Sequence, residues 1–305
     1  MKEFHFEVNE ENDGERIDKE LSDLLGDLVS RSYLQRIMKE NTVLVNDNTV
    51  KSNYRLKSGD IIKGTIPESV EPQIEPQNIP LDILYEDEDV IVINKPKGMV
   101  VHPASGHYEN TLVNALLYHC KDSLSGINGI LRPGIVHRID KNTTGSVIAC
   151  KNDYAHQKIA GQLKEHTIDR RYRAICYGVI KEDDGTVDAP IGRSEDDRKK
   201  MAINYKNGKD AITHYKVLQR FKEYTYIECK LETGRTHQIR VHMASIGHPL
   251  LGDDLYTKRK CPFTLEGQTL HAYILGFKHP KYDKYIETLA PLPEYFEKLL
   301  SILSK

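Results

Sequence analysis

The stretch "GIVHRIDKNTTGSVIAC", residues 134–150, places a single carboxylate, Asp140, among His137, Arg138 and Lys141. A lone acid in such company is either a salt-bridged turn residue or a group kept ionised by its cationic neighbours for nucleophilic or base chemistry. Arg138 and Asp140 flank one apolar residue, Ile139, so in an extended segment their side chains share a face. A second stretch, "ETGRTHQIRVHMASIGHPLLGDDLY" at 232–256, brings Arg235, His237, Gln238, Arg240 and His242 together with no acid among them. So many donors repel one another and lose solvation unless an anion compensates them. An ionised Asp140 beside one of these arginines is such a complement. A purely structural Arg–Asp bridge fits the same residues.

Other chemistries lack their residues. His102 and His107 stand five apart, as do His237 and His242, a spacing that does not put two imidazoles on one helical face. No acid or cysteine completes a metal set, and no Walker, GxGxxG or GxSxG pattern occurs. Neither a metal nor a nucleotide cofactor is expected. Cysteines 120, 150, 176, 229 and 261 are odd in number and never form CxxC, which reads as reduced, buried thiols in a cytoplasmic protein. The longest aliphatic run, "VIVI" at 90–93, is too short to span a bilayer, and "MKEFHFEVNE" lacks the apolar core of a secretory signal. No membrane partner is expected.

The elements that must position these residues fall into two groups. Ile17, Leu21, Leu24 and Leu28 recur at helical spacing, and Ser30 can cap a second helix carrying Leu34, Ile37 and Met38 inward. Short β-branched runs follow, joined by an Asn-Asp-Asn turn, and this unit ends near residue 66. Residues 67–80 hold four prolines and read as a semi-rigid extended linker that lets two domains reorient. From 81 to 305 strands outnumber helices and do not alternate with them, which predicts an α+β domain on a mixed, largely antiparallel sheet. Two helices are expected there, one at 110–120 capped by Asn110 and one from 153.

The formal net charge of −2 hides an uneven distribution. Eight acids and no lysine or arginine lie between Gly64 and Asn94; without that stretch 43 basic residues face 37 acidic ones. A local basic surface for phosphate is therefore available. Residues 1–66 carry ten Lys and Arg against thirteen acids, so any grip on nucleic acid there comes from one face.

Within residues 1–66, "SRSYLQ", "VLVN" and "GDII" resemble the S4 RNA-binding domain, a small α/β fold. That resemblance implies that Arg31, Arg36 and Lys39 on the helix pair face RNA; otherwise they are solvated helix charges. In the larger domain "VINKPKGMVVHPASGH", "RPGIVHRIDKNTTG", "RRYRAICYG" and the 232–256 stretch, in that order, resemble the RluA-type pseudouridine synthases, RluD-like ones in particular. The departures, Ile139 for leucine, "NTTG" for "DTSG" and "RRYR" for "K.Y", keep size, turn character and charge.

The resemblance implies a pseudouridine synthase fold and isomerisation of uridine in RNA, with large-subunit rRNA or an assembling large ribosomal subunit as partner and a monomeric enzyme. It makes Asp140 the catalytic aspartate, Arg240 its salt-bridge partner with Arg235 ranked second, and Tyr172 the active-site tyrosine. Arg138 would enter the space left by a flipped-out uridine, His237 would contact RNA, and Leu270 would wall the pocket or simply pack in the core. Lys95 would serve structure or phosphate. The competing readings are a non-catalytic RNA-binding or assembly factor on the same fold and a hydrolase of free nucleosides. If residues 1–66 bind RNA, their deletion weakens RNA affinity and flattens its salt dependence, because phosphate contacts set that slope. Equal affinity and slope in a salt titration of the truncated protein would contradict the S4 reading.

Overall fold

The computed structural model describes residues 2–26, 31–39, 41–66, 74–103, 106–121, 123–129, 132–197 and 199–305. The chain divides into two compact units, residues 1–71 and 72–305.

The first unit contains β1 (Lys2–Glu7), α1 (Ile17–Leu25), α2 (Arg31–Lys39), β2 (Val43–Val45), β3 (Asn48–Thr49) and β4 (Ile61–Ile66). Its sheet runs β1-β4-β2-β3 with antiparallel pairings. The Asn-Asp-Asn turn appears between β2 and β3, where Asn46 and Asp47 both take positive φ, as a tight hairpin turn requires. Leu21, Leu34, Ile37, Val43, Val45 and Ile62 close a small core. The helices are tied by buried Asp18, which accepts from Gln35 Nε2 at 2.7 Å and pairs with Arg16 at 2.9 Å. Lys39 is exposed, whereas Ser30 and the side chains of Arg31 and Arg36 lie outside the described residues.

The second unit contains β5 (Ile83–Glu86), β6 (Val90–Lys95), α3 (Leu112–Cys120), β7 (Thr144–Cys150), α4 (Asp153–Lys164) and β8 (Asp169–Tyr177). There follow β9 (Asp184–Asp188), β10 (Ile191–Arg193), β11 (Met201–Ile203), β12 (Ile212–Arg220), β13 (Tyr224–Leu231), α5 (Gln238–Ser245), β14 (Leu270–Lys278), β15 (Tyr285–Leu289) and α6 (Glu294–Leu303). A nine-stranded sheet runs β5-β6-β7-β14-β8-β13-β12-β9, with β15 also on β14; β10 and β11 pair separately. Only β7–β14 is parallel among the paired strands described, so the sheet is mixed and largely antiparallel, as expected for α+β. Alternation along β6 feeds two cores. Ile91 and Ile93 pack with α3 and α5 residues such as Leu112, Leu116 and Ile239 on one face, while Val90 and Val92 meet Ala155 and Ile159 of α4 on the other.

Two expectations change in detail. The cap of α3 is Thr111, whose hydroxyl accepts from the Asn114 amide while the Asn114 side chain accepts from the Thr111 amide. Asn110 instead occupies a left-handed turn with φ 57° just outside the helix, so it cannot cap. The proline-rich run expected as a linker is, over 74–80, held to the second unit: Ile74 is buried in the main core and Gln77 donates its amide to Asn114 O at 3.0 Å. An apolar side chain at 74 gives this segment a reason to dock. Residues 67–73 lie outside the described residues.

The loop carrying Asp140 is fastened from below. Lys95, at the end of β6 and fully buried, donates to the carbonyls of Pro96 and Met99 at 2.8 Å and of Lys141 at 3.0 Å. Burial pulls its pKa down to about 7, against the attraction of Asp140. Gly145, at φ 104°, lets β7 press onto β14: a Cβ there would lie 2.2 Å from Ala272 O. Lys95→Met keeps the stem and strips three carbonyls of their donor, so it is expected to lower stability by about 3 kcal/mol. Denaturant unfolding measures this; an unchanged midpoint would contradict a structural role for the ammonium.

Candidate active site

Asp140 sits in the loop before β7, where Thr143 N closes a turn onto its carbonyl at 3.0 Å. Arg240, one hundred residues later in the first turn of α5, donates Nη1 to Asp140 Oδ2 at 3.0 Å. The other edge of the same guanidinium is gripped by Asp253, with Nε to Oδ2 at 2.7 Å and Nη2 to Oδ1 at 2.9 Å. Asp253 is itself held by the amides of Leu255 and Tyr256 at 3.0 and 3.1 Å. The bidentate fork fixes the plane of Arg240 and leaves one nitrogen aimed at Asp140. Burial opposes the Arg240 charge, yet the bonds and charge of Asp253, then of Asp140, push its pKa up. The Arg240 and Asp253 side chains are 7% and 0% exposed, whereas Asp140 keeps 20%. The acid of the pair that remains open is Asp140.

The start of α5 is set by Gln238, whose Oε1 accepts from Arg235 N and Thr233 Oγ1 while Nε2 donates to Ile212 O. This places His237 at a left-handed φ of 57°, with Nδ1 2.7 Å from Tyr256 Oη and Nε2 3.8 Å from Asp140 Oδ1. Burial, and Arg240 after it, lower the His237 pKa against the pull of Asp140, so the ring is neutral near pH 7. Arg235 turns away from Asp140 and donates Nε to Asp210 O at 2.9 Å. Of the two arginines ranked as partners, the structure pairs Arg240 with the acid. His242 is consumed by the fold, its ring bonded to Thr213 and Ala189.

Tyr172 projects from β8, buried, and burial raises its pKa, with Asp140 acting the same way. The phenol is therefore protonated near neutral pH. Leu270, opposite Ala174 in the β14–β8 register, lies in the same apolar cluster as Tyr172 and Ile139. Arg138 is exposed, with Nη1 3.3 Å from His102 Nε2. His137 accepts from the Ile148 amide at 3.0 Å, and lost solvation, then Arg170, push its pKa down to about 3.

These residues line one cavity of about 520 Å³: Arg138, Asp140, Tyr172, Arg235, His237, Arg240 and Leu270 are all in its wall. Asp140 is the only acid among the described lining residues, against Arg138, Lys164, Arg170, Arg235 and Arg240. Reasoning from sequence missed three residues that matter to this geometry. Asp253 stood inside the quoted second stretch but was not singled out. Tyr256 shared that fate, and Arg170 was read only as a positive charge before the tyrosine.

One group of possible metal ligands occurs among the described residues, Asp87, Asp89 and His279, and none of them lines this cavity. His279 Nδ1 accepts from the amides of Lys281 and Tyr282, so Nε2 carries the proton that it shares with Asp87 at 2.7 Å. That tautomer makes an Asp–His bridge.

A family model described as RNA pseudouridylate synthase matches residues 89–245. The uncharacterized RNA pseudouridine synthase YlyB of Bacillus subtilis is 50% identical over 305 residues, spanning 100% of this chain and 99% of the relative. The ribosomal large subunit pseudouridine synthase D of Zymomonas mobilis is 46% identical over 306 residues, spanning 97% of this chain and 96% of the relative. Among solved structures, human RNA pseudouridylate synthase domain containing 4 matches with a TM-score of 0.56 at 26% identity, over 73% of this chain and 92% of that one. The chain belongs to the RNA pseudouridylate synthase family and is an enzyme of that class, forming pseudouridine from uridine in RNA. Within the family it is RluD-like, by its full-length similarity to the D-type relatives.

Proposed function

We propose that the enzyme isomerises uridines of large-subunit rRNA, with Asp140 as the catalytic carboxylate. The observation that carries this is the single acid among the described residues of a cavity walled by five cations, aimed by a guanidinium that is itself clamped from behind. A pure RNA binder gains nothing from a carboxylate facing phosphates. The rRNA substrate rests on the relatives named for the large ribosomal subunit.

The reaction breaks the N1–C1′ bond, turns the base and joins C5 to C1′, with the C5 proton lost to solvent and a proton taken up at N1. Asp140 can act on the electron-poor sugar carbon or take a sugar proton; either role needs an ionised oxygen. Oδ2 is engaged by Arg240, while Oδ1 has its near nitrogen, His237 Nε2, at 3.8 Å and is the oxygen left to react. Tyr172 and Leu270 supply an apolar wall for the uracil ring, and the protonated phenol adds no charge there. A uridine in folded RNA must leave its stack, at a cost of a few kcal/mol. Arg138, exposed at the rim, is placed to stack in the vacated space. Residues 1–66 act as an S4-type RNA-binding module through Arg31, Arg36 and Lys39.

Tritium release from large-subunit rRNA labelled at uridine C5 tests this. Wild-type protein is expected to release tritium, on naked rRNA or on assembly intermediates, and Asp140→Asn to lower the rate by a factor of at least about 10³ while binding RNA within a few-fold. Absence of release by the wild type on both substrates would overturn the proposal in favour of a binding factor.

A further inference from the structure

Arg170 lies two positions before Tyr172 on β8, on the same face, and lines the same cavity. It is 7% exposed. Its Nη2 donates to the carbonyl of Glu232 at 2.9 Å, but its Nε, cut off from solvent, has no hydrogen-bond partner among the described residues. Among the described residues no carboxylate pairs with it. Burying a guanidinium without an anion is costly, and the surroundings raise that cost. Arg235 is close enough to lower its pKa further after burial has done so. His137 beside it is neutral, and the Tyr172 phenol is protonated. Two acids beside it are engaged elsewhere: Asp169, its neighbour in sequence, with Arg171 at 2.8 Å, and Glu232, whose carbonyl it bonds, with His214 at 2.6 Å. Room for this cation depends on Gly234, where a Cβ would stand 2.6 Å from Arg170 Nη1.

The cavity is thus polarised. Arg240 is compensated by two carboxylates, while Arg170 and Arg235 have none among the described residues. We propose that Arg170, with Arg235 beside it, forms an anion subsite that receives a phosphodiester group of the RNA flanking the flipped uridine. This rests on the reading of the cavity as the site of a uridine in RNA. A base carbonyl would satisfy a donor but leave the charge uncompensated, whereas a phosphate does both and matches the planar fork. With the phosphate at this end, the sugar between phosphate and base is drawn toward Asp140. Arg170 is then a substrate-binding residue, and Gly234 is the position that admits it.

The test measures binding of a large-subunit rRNA transcript as a function of salt, in the Asp140→Asn background so that no turnover intervenes. Adding Arg170→Met is expected to weaken binding about tenfold and to reduce the slope of log K against log salt by about 0.7, the value for one phosphate of a single strand. Arg170→Lys keeps the slope. Gly234→Ala, which crowds the guanidinium without removing a charge, is expected to reduce the slope as well, and decides the matter should Arg170→Met fail to fold. An unchanged slope in folded Arg170→Met and Gly234→Ala overturns the phosphate subsite and assigns Arg170 to the base or to packing. Tritium release by wild-type protein on the same transcript tests the underlying reading separately: release with unchanged slopes rejects the subsite alone.

Discussion

One guanidinium organises the catalytic unit. Arg240 is held on one edge by Asp253 and presents its remaining nitrogen to Asp140, so a single side chain joins α5, the 250–256 turn and the loop before β7. A buried arginine between two carboxylates is favourable only when its N–H protons and the carboxylate lone pairs are matched. Here the match is close: Asp253 receives two guanidinium hydrogen bonds and two backbone amides. Asp140 receives one bond from the same group and retains an oxygen toward the cavity. Asp253 fixes Arg240, and Arg240 fixes Asp140.

The rest of the fold serves that arrangement by supplying rigid ends. Gln238 knots the start of α5 to β12, and Lys95 ties β6 to the loop after Asp140 through backbone carbonyls alone. Both replace solvent in places where unpaired backbone groups would be expensive. The close contact of β7 and β14, permitted by Gly145, sets the distance between the Asp140 loop and the Leu270 wall. Residues of the main apolar cluster therefore also wall the cavity, Tyr172 from β8 and Leu270 from the start of β14.

Much of the fold was legible from local pattern. The alternation along β13, with Thr225, Ile227, Cys229 and Leu231 buried, is the signature of a half-buried strand. Ile17 and Leu21 of the first helix and Leu34, Ile37 and Met38 of the second do enter the small core of the first unit. Leu24, by contrast, is exposed with Leu25 buried beside it, and Leu28 lies outside the described residues. The cap of α3 was misjudged by one residue because Asn110 and Thr111 are both capping types, and only backbone geometry separates them. The Asp140–Arg240 pair spans 100 residues, beyond any periodicity, and residue types alone did not choose between Arg240 and Arg235. The family resemblance ranked them. Asp253 and Arg170 were not legible in their roles, since one depends on where a turn brings an acid back to α5 and the other on which neighbours are missing.

The coupling of Asp253 to Asp140 through Arg240 is tested most directly by a double-mutant cycle on the single-turnover rate of tritium release. Asp253→Asn, Arg240→Lys and the double variant are compared with wild type. If Asp253 acts by holding Arg240, the double variant is no slower than Arg240→Lys alone, because the two losses are one loss. Full additivity of the two effects would contradict it and leave Asp253 with a role independent of the arginine.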